Sequence, residues 1–323
     1  MRVLVTGITG FVGPWLATAL VDAGHEVHGV VRDGGPWPRL ALLPSDVLHR
    51  AELDENSLGA VVRAVQPGAV VHLAGVSFVP AAERDPLGAY RTNVGGLLAL
   101  LAAVRAHASR ARVVAVASSD VYGAVRADEL PITEETPFRP VTVYGATKAA
   151  ADVTASQWAR AYELDVVRAR PFNHTGPGQD AGFVCSALAR QLALIEAGRQ
   201  EPVVRVGNPD PVRDFSDVRD VVAGYIALLE RGRAGEAYNL CSGEGVSIAE
   251  VIAILRTHAR VPVRVHSDPA LRRPVDVPRI VGSHARATRD TGWTARIPLA
   301  DTLGALLADW RVRIAAESQL AAQ

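Results

Sequence analysis

The chain has 323 residues, 49% of them hydrophobic and 21% charged, which is enough apolar material for one large α/β unit and a smaller second lobe. Lys plus Arg and Asp plus Glu both number 34, so there is no basic excess to neutralise phosphates and no nucleic-acid partner is expected. Cys185 and Cys241 lack metal-ligand spacing and read as buried thiols of a reducing compartment; with a strand rather than a leader over the first residues, and no apolar run near the roughly 20 residues a bilayer requires, a soluble cytoplasmic protein without a membrane partner is expected.

Residues 2–6 form a short apolar run of the kind buried in a parallel sheet. Thr6-Gly7-Ile8-Thr9-Gly10-Phe11-Val12-Gly13 follows, then a helical pattern over 15–23. Glycines let the backbone turn sharply and approach a pyrophosphate, and the new helix offers it free N–H groups. Gly7, Thr9, Gly10, Phe11, Val12 and Gly13 are therefore candidate dinucleotide ligands. The spacing Gly-x-x-Gly-x-x-Gly departs from the simplest fingerprint; its weight comes from standing between a strand and a helix.

Residues 26–31 read as the second strand, whose C-terminal end faces the adenosine ribose. An arginine there accommodates the 2′-phosphate of NADP, whereas a carboxylate selects NAD. Arg32 comes first and favours NADP(H); Asp33 leaves NAD(H) open, and two solvated loop charges are the plain alternative. A third strand within 46–53 places Glu52 and Leu53 beside the adenine. Residues 58–65 are an amphipathic helix. The fourth strand, 69–73, ends in Leu73-Ala74-Gly75-Val76-Ser77, and Leu73, Ala74, Gly75 and Ser77 are small or apolar enough for close contact with a cofactor. The helix over 90–108 carries more apolar surface than one sheet face needs, so part of it is expected in a homodimer contact. Asn93 on that helix is expected to brace it beside the active site.

The fifth strand, 112–117, puts Ser118 just past its carboxyl end, where open α/β sheets bind ligands. Residues 125–143, with Pro131, Pro137 and Pro140, read as loop. They lead to Tyr144-Gly145-Ala146-Thr147-Lys148. If 145–161 is helical, Tyr144 and Lys148 share one face, a turn apart. A fixed ammonium beside a phenol favours phenolate and lowers its pKa, making Tyr144 a usable proton donor or acceptor near neutral pH. Ser118 would add a second hydrogen bond to the same reacting oxygen. A ketone being reduced needs this arrangement with a hydride donor close by. Tyr-x-x-x-Lys alone arises by chance; its force here comes from the dinucleotide site upstream.

The sixth strand, 164–168, completes an alternating pattern that predicts one doubly wound parallel Rossmann sheet with a smaller α/β C-terminal lobe. Helices are then expected over 183–198 and 247–257, strands over 203–206, 237–241 and 263–266, a basic turn at Arg272-Arg273-Pro274 and a last helix over 299–315. Arg213-Asp214-Phe215-Ser216-Asp217-Val218-Arg219-Asp220 reads as opening a helix with Asp217 as N-cap. No Gly/Ser linker divides the lobes, so they are expected to interleave: 1–170 plus about 215–242 for the dinucleotide, about 171–214 plus 243–323 for the substrate.

Thr6-Gly7-x-x-Gly10-x-x-Gly13, Ser118, Tyr144-x-x-x-Lys148 and Arg170-Pro171-Phe172-Asn173 together resemble the extended short-chain dehydrogenase/reductase family over nearly the whole chain. The stretch from Ala169 to Gln179, Phe183-Val184 and the Arg213 to Asp220 stretch are similar to its GDP-mannose branch. Val281-Gly282-Ser283-His284-Ala285-Arg286 and Ser118-Ser119-Asp120-Val121-Tyr122-Gly123 resemble the reductases of GDP-4-keto-6-deoxy-D-mannose in that branch, which make GDP-D-rhamnose. The resemblance implies NADP(H) or NAD(H) on the sheet, a GDP-sugar on the lobe and a homodimer. Tyr144 would be the acid, Lys148 its electrostatic partner and ribose ligand, and Ser118 the carbonyl-orienting donor, with Pro171 on the cofactor side. Ser119, Asn173, Phe183, Val184, Arg213 and Arg273 would contact the nucleotide sugar: Asn173 its diphosphate, Phe183 and Val184 its guanine, the arginines its phosphates or ribose. His174 is a sugar-hydroxyl donor, an acid/base, or a satisfied polar residue beneath the substrate. The sister dehydratases resemble Thr-x-Glu where this chain has Ser118-x-Asp120, one methylene shorter. A GDP-mannose 4,6-dehydratase with Asp120 as its base, a nucleotide-sugar epimerase and a non-catalytic dinucleotide sensor are the competing readings.

Overall fold

Short Val- and Leu-rich runs, buried on both faces, set the frame. The computed structural model describes residues 1–32, 35–271 and 277–321, with side chains of the last helix through residue 319. β1 (Arg2–Thr6), α1 (Gly13–Asp22), β2 (Glu26–Val31), β3 (Leu48–Arg50), α2 (Glu55–Val65) and β4 (Ala69–His72) come first. α3 (Val79–Arg84), α4 (Pro86–Tyr90) and α5 (Gly96–His107) precede β5 (Arg112–Val116), α6 (Val143–Tyr162) and β6 (Val166–Pro171). Then follow β7 (Asn173–Thr175), α7 (Val184–Glu196), β8 (Val203–Val206), β9 (Val212–Asp217), α8 (Val218–Arg231) and β10 (Ala237–Leu240). β11 (Gly245–Ser247), α9 (Ile248–His258), β12 (Arg264–Ser267), β13 (Arg279–Ile280), α10 (Ala285–Thr291) and α11 (Leu299–Ala321) complete the described elements.

The main sheet has seven strands in the order β3-β2-β1-β4-β5-β6-β10, all paired in parallel. α1 and α8 pack with one face, and α2, α5 and α6 with the other. The strand order reverses between β1 and β4, and a crevice opens there beyond the strand ends. The remaining strands form a sheet joining β7, β9, β11 and β13, plus a β8–β12 pair. α7, α9 and α11 enclose a separate apolar core with Trp310.

Three sequence expectations change. Residues 212–217 are strand β9 rather than the start of a helix; the pairing that makes them a strand comes from β7, β11 and β13, all distant in sequence. Asp217 does cap the helix that follows, accepting from the Arg219 N–H at 2.7 Å. The helix expected over 90–108 begins at Pro86 and contains a π-helical turn, Arg91–Gly95. Its 22 residues, Pro86–His107, are long and apolar enough to cross a membrane by length and composition, so the reading that no run reaches that length is corrected. Leu97, Leu100, Leu101 and Val104 of this stretch are buried against α2 and the sheet, which is how a core helix passes the same test.

α6 carries the Tyr-x-x-x-Lys motif and is fixed at its N-terminal end and again at its middle. Thr142 is its N-cap, accepting from the Gly145 N–H at 3.0 Å, and Glu83 of α3 accepts from the Val143 N–H at 2.8 Å. One turn beyond Lys148, Asp152 is 2% exposed. It accepts from Arg168 Nη1 at 2.7 Å and from Arg170 Nε and Nη2 at 2.8 and 2.9 Å. Burying a carboxylate is tolerated only with such compensation, and the pairing locks α6 to β6.

Candidate active site

The turn after β1 runs beneath the crevice. Gly7 has φ +69°, and a Cβ there would lie 2.6 Å from the Ala74 N; only glycine lets the turn touch the end of β4. Ala74 in turn donates to Thr6 Oγ1 at 3.3 Å. Gly10 is different: a Cβ would meet only the Gly7 carbonyl, at 3.2 Å, so its bare backbone faces open space. α1 then starts with no side-chain cap and no acidic residue in its first turn. An uncapped, positively polarised helix start beside bare backbone fits a dinucleotide pyrophosphate.

The other expected cofactor residues line the same strand ends. Arg32 is exposed at the end of β2, and its carbonyl accepts from Arg50 Nε at 3.2 Å. Glu52 is exposed, whereas Leu53 is half-buried and packs towards Gly96 of α5. Leu73 follows β4, donating its N–H to the Thr6 carbonyl at 3.2 Å; Ser77 is exposed beyond it, and Pro171 ends β6. Asp33 and Arg273 lie outside the described residues.

Ser118, Tyr144 and Lys148 converge. Ser118 is 8% exposed just past β5, and its hydroxyl accepts from the Asp120 N–H at 3.2 Å. A Cβ on Gly145 would lie 2.7 Å from the Asp120 carbonyl, so glycine beside Tyr144 allows α6 to press against the Ser118 turn. The Tyr144 phenol is half-buried, and the Ser118 hydroxyl lies near enough to act on its titration. Lys148 is 7% exposed, and its ammonium donates to the Val116 carbonyl at 2.9 Å. Ser119 is buried beneath this cluster, 2% exposed.

The electrostatics reverse one expectation. Tyr144 is raised above its ordinary value, first by burial and then by the Asp120 charge, with the Ser118 hydrogen bond pulling in the opposite direction. The ammonium that was expected to lower it is committed to the Val116 carbonyl. A phenol so held stays protonated, the form a proton donor needs. Burial pushes Lys148 down from 10.5 to about 8. His72, bonded to Thr6 Oγ1 at 2.7 Å, is pushed down to about 3 by burial and by the Lys148 charge, and is neutral at ordinary pH.

Asn93 stands where the braced helix meets the site. It is 2% exposed; Oδ1 accepts from the Val76 N–H at 2.7 Å, and Nδ2 donates to the Val76 carbonyl at 3.1 Å and to Thr147 Oγ1 at 2.8 Å. One side chain thus ties the loop after β4 to α6, the helix of the Tyr-x-x-x-Lys motif. Asn93→Ala leaves several buried polar groups unpaired, and such a loss costs about 2–3 kcal/mol. The urea midpoint should fall accordingly at unchanged m-value; an unaltered midpoint would remove the bracing role.

The expected substrate residues lie on β7, at the start of α7 and on β9. Asn173 is exposed on β7. His174 is held by a 3.0 Å hydrogen bond between Nδ1 and the Phe172 carbonyl, and its ring stacks on Phe11 of the glycine-rich turn with centroids 6.1 Å apart. Burial lowers its pKa, so the imidazole is neutral near pH 7. Phe183 precedes α7, Val184 opens it, and Phe183 meets Phe78 edge-on at 6.0 Å. Arg213 Nη1 donates to the Val212 carbonyl at 2.9 Å on β9. A surface cavity of about 460 Å³ lined by Val153, Ser156, Arg160 and Arg168 lies on the outer side of α6, and neither Ser118 nor Tyr144 lines it. Sequence reasoning passed over Thr142, Glu83 and Asp152, which hold α6 in place; of these, only Thr142 had a local signal, a threonine three residues before Gly145 at a helix start.

Known proteins resemble the chain over most of its length. The model of the family described as GDP-mannose 4,6 dehydratase matches residues 4–305. A GDP-6-deoxy-D-mannose reductase of Pseudomonas aeruginosa is 41% identical over 317 residues, covering 98% of this chain and 99% of that protein. A GDP-mannose 4,6-dehydratase of Sinorhizobium fredii is 27% identical over 322 residues, covering 90% and 91%. The solved structure of RMD from Pseudomonas aeruginosa complexed with NADPH superposes with a TM-score of 0.85 at 39% identity, covering 97% of this chain and 99% of that one. A glycine-rich turn at the switch point, a Ser–Tyr–Lys cluster beyond β5 and a family match over most of the length have one common explanation: the chain belongs to the GDP-mannose 4,6 dehydratase family of extended short-chain dehydrogenases/reductases.

Proposed function

We propose that the protein reduces the C4 ketone of GDP-4-keto-6-deoxy-D-mannose with NADP(H), giving GDP-D-rhamnose. The observation that carries this reading is the end-to-end 41% identity to a GDP-6-deoxy-D-mannose reductase. The bound dinucleotide would supply hydride to the ketone carbon. Ser118 orients the carbonyl, and the protonated Tyr144 phenol delivers a proton to its oxygen as charge develops there. Lys148 would hold the nicotinamide ribose and favour the phenolate left after transfer. Arg32 favours NADP(H) over NAD(H) at the ribose end. Residues 1–170 with about 215–242 would hold the dinucleotide, and about 171–214 with 243–323 the GDP-sugar, through Asn173, Phe183, Val184, Arg213 and Arg273. Leu87, Tyr90, Leu98, Val153 and Tyr162 are exposed apolar side chains on α4, α5 and α6, the helices proposed to pair in a homodimer.

The dehydratase reading rests on Asp120, whose charge bears on the Tyr144 phenol. The two separate cleanly in one assay. A reductase consumes NADPH with GDP-4-keto-6-deoxymannose and leaves GDP-mannose untouched. Conversion of GDP-mannose without net loss of NADPH would assign the dehydratase instead, with Asp120 as its carboxylate.

A further inference from the structure

The connection between β2 and β3 carries a cation to which the reaction above assigns no part. Arg39 stands on a short 3₁₀ turn, Pro38–Leu40, anchored by Leu40, which is 2% exposed in the core beside α1. Its Nη2 donates to the Phe11 carbonyl at 3.2 Å and its Nη1 to the Gly178 carbonyl at 3.3 Å. Both are long for a guanidinium, whose bonds to anionic oxygens run about 2.7–2.9 Å. Gly178, at φ +86°, makes room for it: a Cβ there would lie 2.5 Å from Arg39 Cζ. Arg39 is exposed, and the charges nearby are Asp309, which favours the cation, and Arg313, which opposes it. Asp309 is itself shared, accepting from the Gly178 N–H at 2.9 Å and from Arg313 Nη1 at 3.4 Å. Two guanidiniums thus face one carboxylate at a seam whose inner wall is the glycine-rich turn.

We propose that Arg39 is a direct ligand of the dinucleotide's pyrophosphate. This rests on the reading that the chain binds NADP(H). Phe11, whose carbonyl Arg39 touches, is followed at once by Val12 and the uncapped start of α1; across the trans Phe11–Val12 peptide the carbonyl and the N–H point in opposite directions, so the guanidinium lies one peptide away from the N–H groups that attract the anion and would reach it by swinging past that peptide. Two weakly held donors of a five-donor fork turn readily from carbonyls to phosphate oxygens, which bind them more strongly. The position also distinguishes Arg39 from Arg32: Arg32 follows the end of β2 at the ribose, whereas Arg39 reaches over the turn that cradles the two phosphates.

The test uses the purified full chain without sugar substrate, titrating NADPH and NADH separately by fluorescence, with inorganic pyrophosphate as competitor. Arg39→Ala should raise the Kd of both dinucleotides by about tenfold and by the same factor within about twofold, because both carry the pyrophosphate. It should weaken pyrophosphate competition in parallel. Arg39→Lys, which keeps the charge without the fork, should recover part of the loss and serves as the measurement if the alanine variant does not fold. Loss confined to NADPH would place Arg39 on the 2′-phosphate and overturn the proposal. Unchanged affinities would reduce Arg39 to a seam contact and overturn it as well. Because no sugar is present, a wrong sugar assignment leaves this titration unaffected. Failure of the unaltered protein to bind either dinucleotide would overturn the proposed function and this inference together.

Discussion

Tyr144→Phe should lower kcat for NADPH-dependent ketone reduction by roughly 10³-fold, within the range general acid catalysis supplies. Phenylalanine keeps the ring and the packing of α6, so what is lost is the proton on one oxygen. That proton is held where it is needed. Burial and the Asp120 charge raise the phenol above its ordinary value, so it stays protonated in the working range, with the Ser118 hydroxyl acting on it in the opposite direction. The carbonyl oxygen would sit between the two hydroxyls. With Ser118 alone left to stabilise it, the developing alkoxide finds no acid, and unpositioned water is a poor substitute. NADPH affinity should stay within about twofold, since the glycine-rich turn and Lys148 are untouched. A variant retaining a third of its kcat would sink the assignment of Tyr144 as the acid. A variant losing cofactor affinity as well would instead show that the substitution disturbs α6.

Much of this site was legible in the sequence because its signals are local. The glycines of 7–13 follow a strand and precede a helix, and Tyr144 and Lys148 need only helical spacing to share a face. The sheet was legible for the same reason: β1, β2 and β4–β6 are dense apolar runs with helices between them. What escaped was set by distant partners. β9 reads as a charged helix start because Arg213, Asp214 and Asp217 dominate its composition; it is a strand because β7 and β13 lie beside it. Asp214 is fully buried and accepts from Ser242 N, Ser242 Oγ, Gly243 N and Gly282 N. No pattern within ten residues announces that. Arg39 sits in an aperiodic stretch rich in proline, and only its contacts with Phe11 and Gly178 give it meaning. The direction of the Tyr144 shift was missed for a related reason. Spacing places an ammonium one turn away, but which carbonyl that ammonium faces is decided by β5.

Lys148→Met should make the dinucleotide-free protein more stable at pH 7 while lowering turnover by at least about 10²-fold. The sign follows from burial. Lys148 is 7% exposed and its ammonium has one protein partner among the described contacts, the Val116 carbonyl; its pKa in the folded chain falls from 10.5 to about 8. Below pH 8 the lysine is charged in both folded and unfolded chains, and the fold bears the whole cost of burying it. Between 8 and 10.5 the folded chain sheds the proton while the unfolded chain keeps it, so the unfolded state binds more protons and stability rises with pH. Above 10.5 both forms are neutral and the cost is gone. At about 1.4 kcal/mol per pKa unit, the penalty at pH 7 is about 3 kcal/mol. Methionine has a similar length and no charge; losing the hydrogen bond to Val116 returns about 1 kcal/mol. The expected gain is therefore about 2 kcal/mol at pH 7; it falls through zero before the pH reaches 10.5 and becomes a loss of up to about 1 kcal/mol above it, where only the missing hydrogen bond counts, read from urea midpoints at pH 7 and at the alkaline end of that window. A gain that did not change with pH would point to packing rather than charge, and a loss at pH 7 would mean the ammonium is stabilised in the fold. On the roles proposed for Lys148 and Tyr144, the buried lysine would be a stability cost retained for catalysis, committed to the Val116 carbonyl until a dinucleotide ribose offered it better partners.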